Sequence, residues 1–208
     1  RRFTLTPEEF RLINPNTLTC PVFRSERDAE LTKKLYRSAP VLIGEAQDGN
    51  NPWGISFMTM MHMSGDSPLF SSEAGEGRLP LYEAKMVHQF DHRWATYDGD
   101  TSRDCTLSEK TSPDYVVTPR YWVSETDVNE RLAAKDWEKG WLIGWRDVTS
   151  AHVLRTAIPS VIPRVGVGHT MPLLFSKLKP ELLACLLANF SSMSLDYIAR
   201  LKVGGTHL

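Results

Sequence analysis

The sequence predicts an α+β fold, built of small mixed sheets of short strands with three or four helices. Two observations carry this. Apolar and β-branched runs are many and short, and turn residues bound them. Helical periodicity is confined to a few capped stretches that do not alternate with the strands, as a doubly wound parallel sheet would require.

The elements follow in order. Residues 14–23, Asn14-Pro15-Asn16-Thr17 through Cys20-Pro21, form a turn-rich loop. A helix follows, with Ser25 as cap, Asp28 at the capping-box position, Glu30 and Lys34 four apart, Leu31 and Leu35 on one face, and Pro40 as stop. Val41-Leu42-Ile43 reads as a short strand and residues 53–58 as another. Residues 58–80 mix Gly, Ser and Pro; Met58, Met60, Met61 and Met63 fill irregular core there, and Leu69-Phe70 anchor the segment. Residues 98–114 are a polar loop or hairpin tip. Residues 115–123 are a strand that Pro119 marks as edge or bulge. Ser124 and Asp127 cap a helix running to about Trp137, with Val128 and Leu132 on one face. Residues 141–148, the broken run 156–168 and residues 173–175 are strands. Pro180 opens a helical stretch that Ser191-Ser192 divides and Gly204 ends.

Composition limits function. The chain has 208 residues, 41% hydrophobic and 24% charged, enough for a core without staples. Lys plus Arg is 24 against 25 Asp plus Glu, net -1, which excludes a strongly basic coat for nucleic acid but not a basic patch. Charge is uneven: +3 over residues 1–40, -4 over 41–80, -4 over 81–150 and +4 over 151–208. If the two ends meet, they form a positive surface. Cys20, Cys105 and Cys185 lie far apart, which disfavours a disulfide framework or zinc finger and fits a reducing cytoplasm. No apolar run has the roughly 20 residues of a membrane span. The chain opens on Arg1-Arg2 and ends at Gly204-Gly205-Thr206-His207-Leu208, so it reads as one domain, residues 1–208, cut from a longer polypeptide, with a sub-boundary near 150–180.

Residues 81–97 hold the densest chemistry. Lys85, His88, Gln89, His92, Arg93, Trp94 and Tyr97 interleave cations, an amide and aromatics, the mixture that contacts phosphates, base edges and unstacked bases. Arg120, Arg146, Arg155, Arg164 and Asn189 add basic or amide groups. Gly166-Val167-Gly168 matches neither a dinucleotide fingerprint nor a P-loop, and reads as a tight turn able to approach a nucleic-acid backbone. His88 and His92, four apart, have a zinc-ligand spacing without a third ligand. Asp66 with Glu83-Ala84-Lys85 imitates a metal-dependent nuclease, two carboxylates for Mg²⁺ and a lysine beside the attacking water. No nucleophile elbow is present.

Several stretches together carry a family resemblance: Asn14-Pro15-Asn16-Thr17 to Arg24, Leu81-Tyr82-Glu83-Ala84-Lys85-Met86 to Tyr97, Gly144-Trp145-Arg146-Asp147, Pro163-Arg164-Val165-Gly166-Val167-Gly168, and Leu195-Asp196-Tyr197-Ile198-Ala199-Arg200 to Leu208. The chain resembles the C-terminal part of large adenine-specific DNA methyltransferases of bacterial restriction-modification and phage-defence systems, where a target-recognition domain similar to the TaqI-type specificity domain follows the methylase. The family's catalytic (Asn/Asp)-Pro-Pro-(Tyr/Phe) signature and glycine-rich S-adenosylmethionine loop do not occur here; Asn14-Pro15-Asn16-Thr17 shares only two residues of the former.

The resemblance implies a target-recognition-like domain that binds double-stranded DNA beside the methylase domain of its parent chain. Catalytic residues and S-adenosylmethionine would belong to that parent domain. The expected DNA contacts are Lys85, His88, Gln89, His92 and Arg93, then Arg164, Gly166 and Gly168. The alternatives are a metal-dependent endonuclease using Asp66, Glu83 and Lys85, and a structural domain in which residues 88–97 buttress a partner.

Overall fold

The computed structural model describes residues 3–45 and 49–208. In chain order the helices are α1 (Pro7–Ile13), α2 (Glu26–Ser38), α3 (Leu107–Thr111), α4 (Glu125–Ala133), α5 (Pro180–Phe190) and α6 (Met193–Lys202). The strands are β1 (Ser56–Met58), β2 (Arg78–Tyr82), β3 (Ala95–Asp98), β4 (Thr101–Asp104), β5 (Trp122–Ser124), β6 (Trp141–Trp145), β7 (Pro159–Pro163), β8 (Gly166–Val167) and β9 (Leu173–Phe175). The class is mixed α+β, with six α-helices among the described residues where three or four were expected. The chain forms two compact units, one of Arg1–Ile55, Ser150–Thr156 and Ser176–Leu208, the other of Ser56–Thr149 and Ala157–Phe175.

The first unit is helical. α1 starts at a full capping box, the Thr6 side chain accepting from the Glu9 N–H and the Glu9 carboxylate from the Thr6 N–H. The signal Thr6-Pro7-Glu8-Glu9 is plain in the sequence, although α1 was not among the expected helices. α2 begins at Ser25, whose hydroxyl accepts from the Asp28 N–H at 3.2 Å. Its buried face is Ala29, Thr32, Lys33 and Tyr36; Leu31 points outward. Lys33, not Lys34, makes the ion pairs, reaching both Glu9 and Glu30. A paired lysine can lie inward because its alkyl stem is apolar and its charge is neutralised.

Val41-Leu42-Ile43 is not a strand. Asn16 claims that backbone, its amide donating to the Ile43 carbonyl and accepting from the Glu45 N–H, both at 2.9 Å. α5 and α6 are bent by 60°. The bend falls where Ser192 caps α6 by accepting from the Leu195 N–H. Val203, not Gly204, closes α6. Among the described residues no single helix is long and apolar enough to cross a membrane.

The two ends of the chain meet in this unit. The Tyr197 hydroxyl donates to the Asp28 carbonyl and the Lys202 ammonium to the Ile13 carbonyl, both at 3.2 Å. Its segments carry thirteen basic and nine acidic residues, net +4; those of the second unit carry eleven and sixteen, net -5.

The second unit holds the strands. One sheet runs β1-β9-β6-β7, all antiparallel. A second runs β5-β2-β8, with β2 and β8 parallel. β3 and β4 form a hairpin at the expected polar tip. Within the same expected loop lies the helix α3, which starts at another capping box, of Thr106 and Glu109. Residues 115–121 are irregular, and only Trp122–Ser124 pairs, in accord with the break Pro119 imposes. Met60 and Met61 are fully buried, so methionine fills core here, together with Leu81, Met86, Val123, Leu132, Val167 and Leu174.

Candidate functional site

Residues 84–94 connect β2 to β3 and form a braced surface turn of the second unit. After a 3-10 turn over Ala84–Met86, the chain reverses within four residues. The His88 N–H donates to the Asp91 carbonyl (2.7 Å) and the Asp91 N–H to the His88 carbonyl (3.0 Å). The Trp94 N–H closes the base on the Met86 carbonyl at 3.0 Å. Arg146 on the exit of β6 donates to the carbonyls of Val87 and Lys85. Burial lowers its pKa from the ordinary value, with Asp104 opposing.

Each expected residue has a definite place on this turn. Lys85 is half exposed; its ammonium lies 3.8 Å from Glu83 and 4.9 Å from the Tyr97 ring centre. The His88 ring packs on Trp94 with centroids 4.5 Å apart. The Gln89 amide donates to the Ala157 carbonyl at 3.2 Å. Burial, then the neighbouring Arg93 charge, lowers the His92 pKa, with Asp91 opposing. A histidine so placed is neutral at pH 7 and offers hydrogen bonds rather than a cation to a phosphate.

Arg93 is spent inside the fold. Its guanidinium donates to the carbonyls of Lys110 (2.6 Å), Ser112 (2.9 Å) and Tyr115 (3.2 Å). Asp91 accepts from the Arg93 N–H at 2.8 Å and pairs with Lys110 at 2.8 Å, while Lys110 sits 4.1 Å from the Trp94 ring centre. Burial would raise the Asp91 pKa, but those two partners outweigh it and hold the carboxyl below its usual range.

Between Gln89 and Asp91 stands Phe90, 81% exposed and with φ at +62°. As an apolar ring between polar neighbours Phe90 reads in the sequence as core, and the structure corrects this by placing it in the open. The signal that could have found it is the exposed position that a residue at the tip of so short a turn must take.

The second expected cluster is built differently. Arg164 donates to the Asn129 side chain at 2.8 and 3.2 Å and to the Trp137 carbonyl at 2.8 Å, lining an open cleft of ≈580 Å³ with Asn129, Ala133, Asp136, Trp137 and Glu138. Gly166 and Gly168 are buried, and the expected tight turn is corrected to a strand. A β-carbon on Gly166 would stand 2.4 Å from a Val123 methyl, so this glycine lets β8 press against the β2–β5 pair. The Gly168 N–H donates to the Tyr82 carbonyl at 2.8 Å.

The remaining groups are also engaged. Asp66 accepts from the His62 N–H (2.7 Å) and pairs with Arg131 (2.9 Å), and the His62 contact leads the lowering of its pKa. Glu83 accepts from the Tyr97 hydroxyl at 2.6 Å. Burial first, then that bond to Glu83, raises the Tyr97 pKa. Among the described residues no group of three or more His, Cys, Asp or Glu is placed to hold a metal ion. Arg120 pairs with Asp100 at 3.2 Å, and Asn189 donates to the Cys185 carbonyl at 3.0 Å. In the first unit, Arg155 donates to the Ser191 carbonyl at 2.6 Å and lies 3.5 Å from the buried Asp196. No family model matches the sequence, and no curated protein matches it significantly.

Proposed function

We propose that this chain is a DNA sequence-recognition domain of an adenine-specific methyltransferase from a restriction-modification or phage-defence system. In this reading it fixes duplex DNA while a methylase domain of the same parent chain flips and methylates adenine in the cytoplasm. The carrying observation is the braced turn at residues 84–94, which holds Lys85, His88, Gln89 and His92 on one short, rigid span. Preorganised side chains lose little freedom on binding, and a cation beside an amide and aromatics is the chemistry that meets phosphates and base edges. The family resemblance of residues 81–97 supplies the rest.

Methyl transfer is assigned to the parent's other domain. Among the described residues, those that come nearest the family's catalytic and cofactor motifs are engaged otherwise. Asn14 is bonded to Thr19 and Asn16 to residues 43 and 45, while Gly166 and Gly168 are buried in strand structure rather than open to a cofactor.

Salt-dependent binding of the 208-residue chain to duplex DNA tests the reading. Lys85→Ala leaves the fold intact, because the ammonium is half exposed and its ion pair is long. As a phosphate contact, its loss weakens all sequences alike and lowers the salt slope by about one; as a groove contact, it costs about 1–3 kcal/mol at one base position. Absence of duplex binding at low salt overturns the proposal.

A further inference from the structure

We propose that Phe90 is a wedge that enters between stacked base pairs of bound duplex DNA. The inference rests on the DNA-recognition reading and names how the same turn acts. Three observations carry it.

The ring has no place in the core. At 81% exposure Phe90 contributes little to burial, and its chain neighbours Gln89 and Asp91 are polar. Its backbone is in the left-handed region at φ +62°, where glycine or asparagine is the favoured residue and an aromatic side chain is strained. A residue that neither packs nor suits its own backbone points to a role outside folding.

The support beneath it is stiff. The paired His88–Asp91 backbone, the Gln89 bond to Ala157, the His88–Trp94 packing and the Arg146 clamp on Val87 and Lys85 fix the backbone that carries the ring before any partner arrives. An inserted side chain needs such a base, because unstacking a step costs about a few kcal/mol and a loose turn would yield instead.

The charge around it selects the partner. Lys85, Arg93, Lys110 and Arg146 stand against Glu83, Asp91 and Asp104 about the turn, a formal net of +1 on a unit whose net charge is -5, and the cation left most open to a partner is the half-exposed Lys85. A bare ring on the same turn as a half-exposed lysine suits a polyanion with flat apolar faces inside it, which on the DNA-recognition reading is the duplex.

The test uses the whole chain and two otherwise identical duplexes of ~30 base pairs, one intact and one with a central mismatch flanked by 2-aminopurine, at about 50 mM salt. The mismatch lowers the unstacking cost, so the wild type binds it more tightly, on the order of tenfold, and 2-aminopurine fluorescence rises. Phe90→Gly removes the preference and the fluorescence change while melting at an equal or higher temperature, since glycine relieves the strained turn. Phe90→Trp keeps both signals. If Phe90→Gly retains the preference and the fluorescence rise, the wedge is overturned and the DNA reading stands. If the wild type binds neither duplex, the DNA reading itself falls. If Phe90→Gly leaves duplex binding unchanged but converts a dimer to a monomer in sedimentation, the ring is a protein contact and the wedge is overturned.

Discussion

The turn at residues 84–94 and the segment 163–168 carry similar residues in the sequence, a cation beside a position of unusual backbone demand. In the fold they do opposite work. In the first, the strained position is an exposed Phe90 and the backbone beneath it is clamped from two sides. In the second, Gly166 is buried, its φ is unremarkable, and its missing β-carbon lets three strands close up. A glycine chosen for packing and a glycine chosen for a ligand look alike in a sequence; only the neighbours separate them. The same holds for arginine. Arg93 and Arg164 both read as DNA contacts, yet both guanidiniums serve backbone carbonyls of their own chain.

The hardest test of this contrast is Gly166→Ala. The new methyl would lie 2.4 Å from Val123 and 3.3 Å from Leu81, inside a sheet with no room to spread. Overpacking of this kind costs about 1–3 kcal/mol, and the value here is expected at the upper end. Urea unfolding measures it. Gly168→Ala is the control: its nearest contact would be 3.5 Å, ordinary van der Waals distance, so stability is expected to hold or rise by about 0.4–1 kcal/mol. Equal losses in the two variants would break the claim that Gly166, and not Gly168, is the packing glycine of this segment.

Arg93→Ala comes next. It leaves the carbonyls of Lys110, Ser112 and Tyr115 without their shared donor, at a cost of about 1–3 kcal/mol. Any accompanying loss of DNA affinity should be uniform across sequences and should vanish in a crosslinked or otherwise rigidified loop. A change confined to one base position would instead make Arg93 a direct reader and erase the distinction between support and contact.

Much of this was legible and some was not, for physical reasons. Capping signals are local, so α2, α4 and the break between α5 and α6 follow from Ser25, Ser124 and Ser192. β9 falls on residues 173–175, and the run 156–168 divides into β7 and β8 as a broken strand should. Strand content near Val41 failed because a side chain twenty-seven residues away, Asn16, took the hydrogen bonds that a ladder would have used. The buried face of α2 is Ala29, Thr32, Lys33 and Tyr36 and not the one hydrophobicity alone favours, because Lys33 turns inward once Glu9 and Glu30 receive its charge. At the candidate site, residue types were visible but their engagement was not. Arg93 meets carbonyls 17 to 22 positions away, and Phe90 is conspicuous only through its φ and exposure.

The smallest expected effect concerns His92, which lies on the braced turn yet is held neutral. Burial, then Arg93, depresses its folded pKa below the ordinary 6.5, and Asp91 only partly offsets this. Between the lowered folded value and 6.5 the unfolded chain binds more protons than the folded one, so stability rises with pH across that window. The contribution is fully present above 6.5 and is lost as pH falls through the folded pKa. Urea midpoints between about pH 5 and 7 should therefore slope upward in the wild type and flatten in His92→Gln, which cannot titrate. Asp91 does not confuse the measurement: its folded pKa is also depressed, from 3.8, so its own contribution is lost only at lower pH. Identical slopes in the two proteins would show that His92 is solvated like an exposed histidine, and would return it to the set of residues able to offer a phosphate a positive charge.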